Sequence, residues 1–417
     1  MTPTTIQLIS SALFAIAILH TFSTNFFERL AHTQPAHAGV WHFLGEVEVV
    51  FGFWALVLIL AMFAIDGSTA AIGYMDSRNF TEPMFVFAIM VIAGTRPILQ
   101  TAMVAIHSVA RIIPLSGCIG FYFTTLALVP LLGSFITEPA AMTLAALILS
   151  NRIFANGISL RLNHAGCIVR KHFHWGNTHA ICRSACADGG WKMELGYCIH
   201  DVNVWLESGI AVILNALGAT LLFRRELSQL STTDSSDGSN SVPLVLVLVH
   251  LAFLAGVVVF AHHPAIFVGL FLFFLGLADA YRHHQDRLIL REGLLVAFFL
   301  AGLVVLGGQQ QWWLQPVLMS MSSDAVFFGA TILTAFTDNA ALTYLGSLVE
   351  GLPDDFKYAL VAGAVTGGGL TIIANAPKPA GIAILRGHFE EEVVHPLGLL
   401  LAALPPTIIA ALAFWYL

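Results

Sequence analysis

Charged side chains are scarce in this 417-residue chain, at 10% of residues, where soluble domains average about 25%. A soluble core of this length has no room for a sequence that is 57% hydrophobic, whereas a bilayer solvates such a surface with its own apolar tails. Runs of basic residues are missing, and the formal net charge of -7 is thinly spread, so no nucleic-acid partner is expected. Cysteine is almost confined to one stretch: four of the five fall within residues 164–207, and the fifth, Cys118, reads as a packed core thiol. The start lacks a basic leader and a small-residue cleavage site. Ile6 to Phe22 therefore reads as a first spanning helix of a chain inserted whole, not as a removed signal peptide.

What is present is a succession of apolar stretches. Helices are expected near 5–22, 43–65, 84–103, 117–132, 208–223, 243–261, 264–280, 291–307, 325–336, 357–374 and 396–416. Shorter apolar pieces at 139–150 and 340–349 sit among Gly, Pro, Asp and Asn, and read as half-helices or re-entrant segments. The sum is an all-α polytopic membrane protein of about 11–12 spans. It divides into a first half over 1–223, a polar loop over 224–242 and a second half over 243–417. Arg224 and Arg225 open that loop, and Arg282, Arg287 and Arg291 surround the next one. Two spans separate the loops, so both lie on one side, which their basic residues assign to the cytoplasm.

An internal self-similarity carries the functional argument. Thr137-Glu138-Pro139-Ala140-Ala141-Met142-Thr143 matches Thr337-Asp338-Asn339-Ala340-Ala341-Leu342-Thr343. Each copy follows an apolar run and places a carboxylate after Thr and before Ala-Ala. Repeats of this kind in transporters commonly pack as inverted halves around a midplane site. The plain reading of each acid alone is a helix cap at the membrane interface. In matched positions, Glu138 and Asp338 also suit a second use. A carboxylate in an apolar setting must pair, protonate or bind a cation, and a group that holds either a proton or a metal ion is the simplest basis for exchange. Hydroxyls of Thr137 and Thr337, side-chain carbonyls of Asn339 and Asn375, and unwound backbone oxygens supply the hard donors small cations prefer.

After the second copy, Gly367-Gly368-Gly369 is followed by Asn375, Pro377, Lys378 and Pro379, which no smooth helix accommodates. A helix, an unwound segment and a second half-helix are expected there, with the three Gly, Pro377 and, in the first copy, Pro139 keeping the helices broken. Lys378 balances Asp338, binds an anion, or snorkels to the interface. Arg96, in Gly94-Thr95-Arg96-Pro97, is a further membrane charge that either modulates the site or pairs with Glu82 or a helix end.

Phe336 to Ser347 and Gly363 to Gly381 resemble the sodium/proton antiporter family of the ion transporter superfamily, whose other members carry dicarboxylates and arsenite. The likeness is specific over 325–386, good over Gly133 to Leu149, and elsewhere one of hydropathy. It implies two five-helix inverted repeats, each with a re-entrant hairpin and a broken helix, and a scaffold against which the transport unit slides. Where the family prefers Asn, this chain has Lys378.

Residues 164–207 interrupt the pattern. The first half lacks a Gly-Gly…Pro-Pro counterpart of 364–385, and this segment stands in its place with five His and four Cys. Three readings stay open. His172, His174, His179, Cys182 and Cys186 have the donor atoms of a zinc site, though not a standard spacing. The segment also reads as an extramembrane loop. Or the gene is out of frame here: reading the last two bases of each codon with the first of the next permits GGTLTPFAAPP, a partner for GGGLTIIANAP.

The reading that unites these features is an ion-coupled secondary transporter, not an enzyme, most simply a sodium/proton antiporter with no resident cofactor. Its partners are the lipid bilayer and small ions, with a homodimer open as its assembly, and its place is a bacterial inner membrane. The alternatives are a small-anion transporter of the same architecture and a membrane-embedded zinc protein.

Overall fold

A computed structural model describes residues 3–115, 117–136, 138–150, 153, 200–229, 242–349, 351–371, 374–375, 378–385 and 396–416. These form helices joined by turns, with no strand among the described residues. Thr137, Pro377, the His/Cys segment with its zinc and frame readings, and most of the 224–242 loop lie outside them.

The first half holds α1 (Thr5–Thr21), α2 (Thr24–Thr33), α3 (Ala38–Gly45), α4 (Val47–Ile65), α5 (Ser68–Asp76), α6 (Thr81–Ala93), α7 (Arg96–Ile112), α8 (Gly117–Ile136), α9 (Glu138–Leu149) and α10 (His200–Leu222). A five-residue helix, α11 (Arg224–Ser228), opens the polar loop. The second half holds α12 (Leu244–Val259), α13 (Pro264–Ala280), α14 (Leu290–Gly307), α15 (Gln311–Met319), α16 (Ser323–Thr334), α17 (Asn339–Ser347), α18 (Asp354–Gly367), α19 (Lys378–Leu385) and α20 (Pro396–Tyr416).

Three of these are long and apolar enough to cross a membrane unaided: α4, α14 and α20. The apolar helices α1, α12, α13 and α16, and apolar stretches of α8 and α10, run to between 10 and 17 residues. At 1.5 Å per residue, the shortest being the 12 residues of α16, they reach about 18–26 Å, short of a hydrocarbon core about 30 Å thick.

Several expected boundaries move: the helix expected at 357–374 stops at Gly367, the one expected at 208–223 begins at His200, and two spans are interrupted. The span expected at 84–103 is two helices, α6 and α7, meeting at 69°. Gly94 and Pro97 flank the bend, and the Thr95 hydroxyl donates to the Ile92 carbonyl at 2.7 Å, satisfying an acceptor that the interrupted ladder releases. The span expected at 43–65 begins as α3 and restarts at Glu46, whose extended backbone is the N-cap of α4.

Around α14 the register can be read from side chains. Arg291 pairs with Glu46, and Phe298 rests on Gly52, so α4 and α14 run parallel. Ile289 rests on Gly94, while Phe87 and Val91 rest on Gly293, so α6 runs antiparallel to α14. The last carbonyls of α14 find partners from three directions. Tyr344 Oη donates to Val304 O at 3.3 Å and Tyr74 Oη to Val305 O at 2.5 Å. Ser10 Oγ and Gln310 Nε2 both donate to Leu306 O, at 3.1 and 2.9 Å. A helix end that stops inside protein needs such donors, because its final carbonyls have no partner within the helix.

A second antiparallel pair closes the far side. Ala211 packs with Ala410, and Asn215 Nδ2 donates to Pro406 O at 3.5 Å. Tyr358 Oη lies between the Glu207 carboxyl group and Phe414 O. Position for position, α10 and α20 therefore run in opposite directions.

Candidate functional site

The site grows from two interruptions that face each other. The first lies between α16 and α17. The apolar run of α16 stops at Thr334, and Asp338 adopts extended backbone as the N-cap of α17. Its Oδ1 accepts from Ala340 N at 2.8 Å and Ala341 N at 3.3 Å. The capping role proper to a lone acid is thus real, yet the residue is only 7% exposed and so is no surface cap. A carboxylate that accepts two backbone N–H bonds at a helix N-terminus is held in one orientation.

The second interruption follows α18, which stops at Gly367. Its register is set by backbone contact with α16: Thr331 Oγ1 donates to Gly363 O at 3.1 Å, and a Cβ on Gly363 or Gly367 would stand 2.3 Å from the carbonyl oxygen of Phe327 or Thr331. Only glycine permits that approach. Gly368 caps α18, and Gly369 follows it in the unwound segment.

Hydrogen bonds join the interruptions. Asn339 N donates to Ala374 O at 3.2 Å. Thr371 Oγ1 donates to Ala335 O at 2.8 Å and accepts from Ala374 N at 3.1 Å. Asn375, 2% exposed, lies one residue beyond Ala374, and Lys378, 2% exposed, begins α19 with its Nζ donating to Thr371 O at 2.8 Å. Snorkelling to the interface is excluded by that burial. Asp338, Asn339, Asn375 and Lys378 are therefore brought together as buried residues of one cluster.

The first motif copy also opens a half-helix, with Glu138 and Pro139 its first two residues. Met142, Ala146 and Leu149 of α9 share a core with Ile384 and Leu385 of α19. The first copy thus reaches the second half through α19. Thr337 turns its hydroxyl back on its own helix, donating to Leu333 O at 3.0 Å, and Arg96 is the first residue of α7 at the 69° bend.

Two features escaped the sequence reading. Thr366 Oγ1 is buried with no hydrogen-bond partner, one residue before α18 ends. Its signal was the Thr before the glycine triplet, read there as ordinary helix. Glu48, in the first turn of α4, lies in the electrostatic field of Asp338, as well as of Glu46 and Arg291. No spacing in the sequence links positions 48 and 338. Among the described residues, no group of three or more His, Cys, Asp and Glu side chains is placed to hold a metal ion.

A buried carboxylate at a helix break, with Asn339 next to it in the chain and the segment holding Asn375 hydrogen-bonded to it, carries oxygen donors of the type small hard cations take. The model of a family described as "Putative Na+/H+ antiporter" matches residues 5–417. The chain belongs to that family. Among curated proteins none matches it. Membership spans nearly the whole chain, α1 to α20. With the apolar helices it marks an integral membrane protein, and a transporter family rather than an enzyme family.

Proposed function

We propose that this protein is an ion-coupled secondary transporter that exchanges sodium ions for protons across a bacterial inner membrane. The observation that carries the reading is the buried Asp338 cap, hydrogen-bonded through Asn339 and Ala374 to the unwound segment holding Asn375. Asp338 binds the cation or a proton, and Asn339, Asn375, Thr337 and the orphaned Thr366 hydroxyl supply neutral oxygens. Glu138 and Thr137 play the matching part in the first half. Sodium leaves when a proton arrives, because one carboxylate cannot hold both.

The halves form inverted repeats with re-entrant hairpins α8–α9 and α16–α17. In support, α10 and α20, which follow the two motif copies at similar distances along the chain, run antiparallel in contact. That relation is expected of a pseudo-two-fold axis in the membrane plane.

The test is sodium uptake into proteoliposomes driven by an outward-directed proton gradient. Asp338→Asn is expected to abolish exchange while the protein remains folded and monodisperse. Undiminished exchange in that variant removes the assignment. A second reading, a small-anion transporter, is favoured by one observation, the buried Lys378 at the N-terminus of α19. Counterflow with sodium alone supports the first reading, and counterflow that requires a carboxylate supports the second.

A further inference from the structure

Asp338 and Glu46 both occupy an extended N-cap position, and only one of them caps. Asp338 accepts from the first N–H groups of α17, whereas the Glu46 side chain makes no such bond to α4. Its carboxylate is turned instead to the guanidinium of Arg291, the second residue of α14. That pair engages Glu46 Oε1, while Oε2 is buried with no hydrogen-bond partner. A capping carboxylate is held still by the backbone. This one is tied to a long side chain that is itself 64% exposed.

The pair is not needed to hold its helices together. Gly302 of α14 seats on the backbone of α4, where a Cβ would stand 2.3 Å from Gly52 N, and the rings of Phe51 and Phe299 meet edge to face at 5.2 Å. An exposed ion pair adds little to such packing. Its position says more. Tyr344 of α17 bonds to the last turn of α14, while Asp338, at the start of α17, acts electrostatically on Glu48 in the first turn of α4. Glu46 and Arg291 lie at that same end of the α4–α14 pair. So α17 points Asp338 back toward the ion pair, and Glu48, in the field of Glu46, Arg291 and Asp338 alike, links them.

We infer that Arg291 gates the cytoplasmic approach to Asp338 by occupying Glu46, an inference that rests on the sodium/proton reading. The guanidinium holds the place that an incoming sodium ion takes beside Glu46. One monovalent cation replaces another, so the change of partner leaves the local charge as it was. Arginine stays charged throughout, so it carries no proton and acts only by place. Sodium passes inward by Glu48, and the guanidinium, tethered to α14, closes behind it. The basic loop that ends at Arg291 puts this mouth on the cytoplasmic side.

Initial rates of sodium/proton exchange in everted and in right-side-out membrane vesicles, less those of vesicles lacking the protein, give the apparent sodium KM of each face. Arg291→Gln frees Glu46 and should lower the cytoplasmic KM about threefold, the scale of one exposed ion pair. Glu46→Gln removes the carboxylate that draws sodium in and should raise it about tenfold. The double variant should behave as Glu46→Gln, since the guanidinium acts only through that carboxylate. KM at the opposite face should stay unchanged in all three. Arg287→Gln, which deletes the same charge from an exposed place on the same loop, should leave both faces unchanged. A structural brace predicts otherwise, with both single variants losing exchange from both faces and unfolding at lower temperature. Arg291→Met replaces Gln if the latter does not fold. Shifts of Arg291→Gln and Glu46→Gln in one direction, equal shifts at both faces, no shift in either, or an equal effect from Arg287→Gln overturns the gate and leaves the sodium/proton reading standing. Wild-type vesicles that exchange no sodium for protons overturn both.

Discussion

The two copies of the Thr-acid-x-Ala-Ala motif begin half-helices of similar length, yet their surroundings differ. In the second half, α17 faces the break between α18 and α19, which runs from Gly367 past the buried Asn375 to the buried Lys378. In the first half, α9 packs on α19, a helix of the second half, and where the sequence pattern calls for a broken helix of its own stands the His/Cys-rich stretch over 164–207. The contrast teaches that a motif alone does not make a site. On the proposed function, what turns a capping acid into an ion ligand is the second broken helix placed across from it.

The strongest way to break the contrast is genetic. Sequencing codons 150–215 anew either restores GGTLTPFAAPP, giving the first half its own broken helix, or confirms the written chain and leaves the second-half site without a twin. Next in size are the two acids. Asp338→Asn is expected to abolish sodium/proton exchange, whereas Glu138→Gln should lower apparent sodium affinity about tenfold, an effect of about 1.4 kcal/mol. Equal losses in uptake assays would erase the asymmetry between the halves.

Gly367→Ala tests the contact that sets the second break. Its new Cβ would lie 2.3 Å from Thr331 O, so a loss of about 1–3 kcal/mol is expected in thermal unfolding. Gly269→Ala on α13, where a Cβ meets nothing within 4 Å, should be neutral or stabilising by up to about 1 kcal/mol. Thr366→Val separates function from packing. Replacing a buried, unpartnered hydroxyl by a methyl group should leave unfolding unchanged or slightly improved. If Thr366 Oγ1 is a sodium ligand, affinity falls severalfold in the same variant, and unchanged affinity removes it from the site. Tyr344→Phe, which deletes the donor to Val304 O, should cost about 1 kcal/mol in unfolding.

Much of this molecule was written in local chemistry. The apolar runs gave most of the helices, and the Gly triplet with Asn375 and Pro377 marked the break after α18. The acid after Thr marked the starts of α9 and α17. What escaped detection depended on distance. The bend at Gly94-Thr95-Arg96-Pro97 was hidden because the flanking residues are as apolar as a continuous span, so composition outweighed the Gly and Pro between them. Glu48 in the field of Asp338, and Tyr74 and Ser10 at the end of α14, join positions hundreds of residues apart, which no periodicity records. Lys378 was noticed, but its depth was not legible, since a lysine after proline near a helix start reads equally well as an interfacial anchor.

The backbone crossing of α16 and α18 has a mechanical consequence. With Gly363 and Gly367 seated against the carbonyls of Phe327 and Thr331, there is no layer of side chains between these helices to act as a bearing. Thr331 and Thr371 add rivets on either side of the crossing, to Gly363 O and Ala335 O. The two elements cannot shear past one another without breaking those joints. Whatever stroke carries an ion from one face of the membrane to the other must carry α16 and α18 together as one plank, and its hinges must lie elsewhere in the chain.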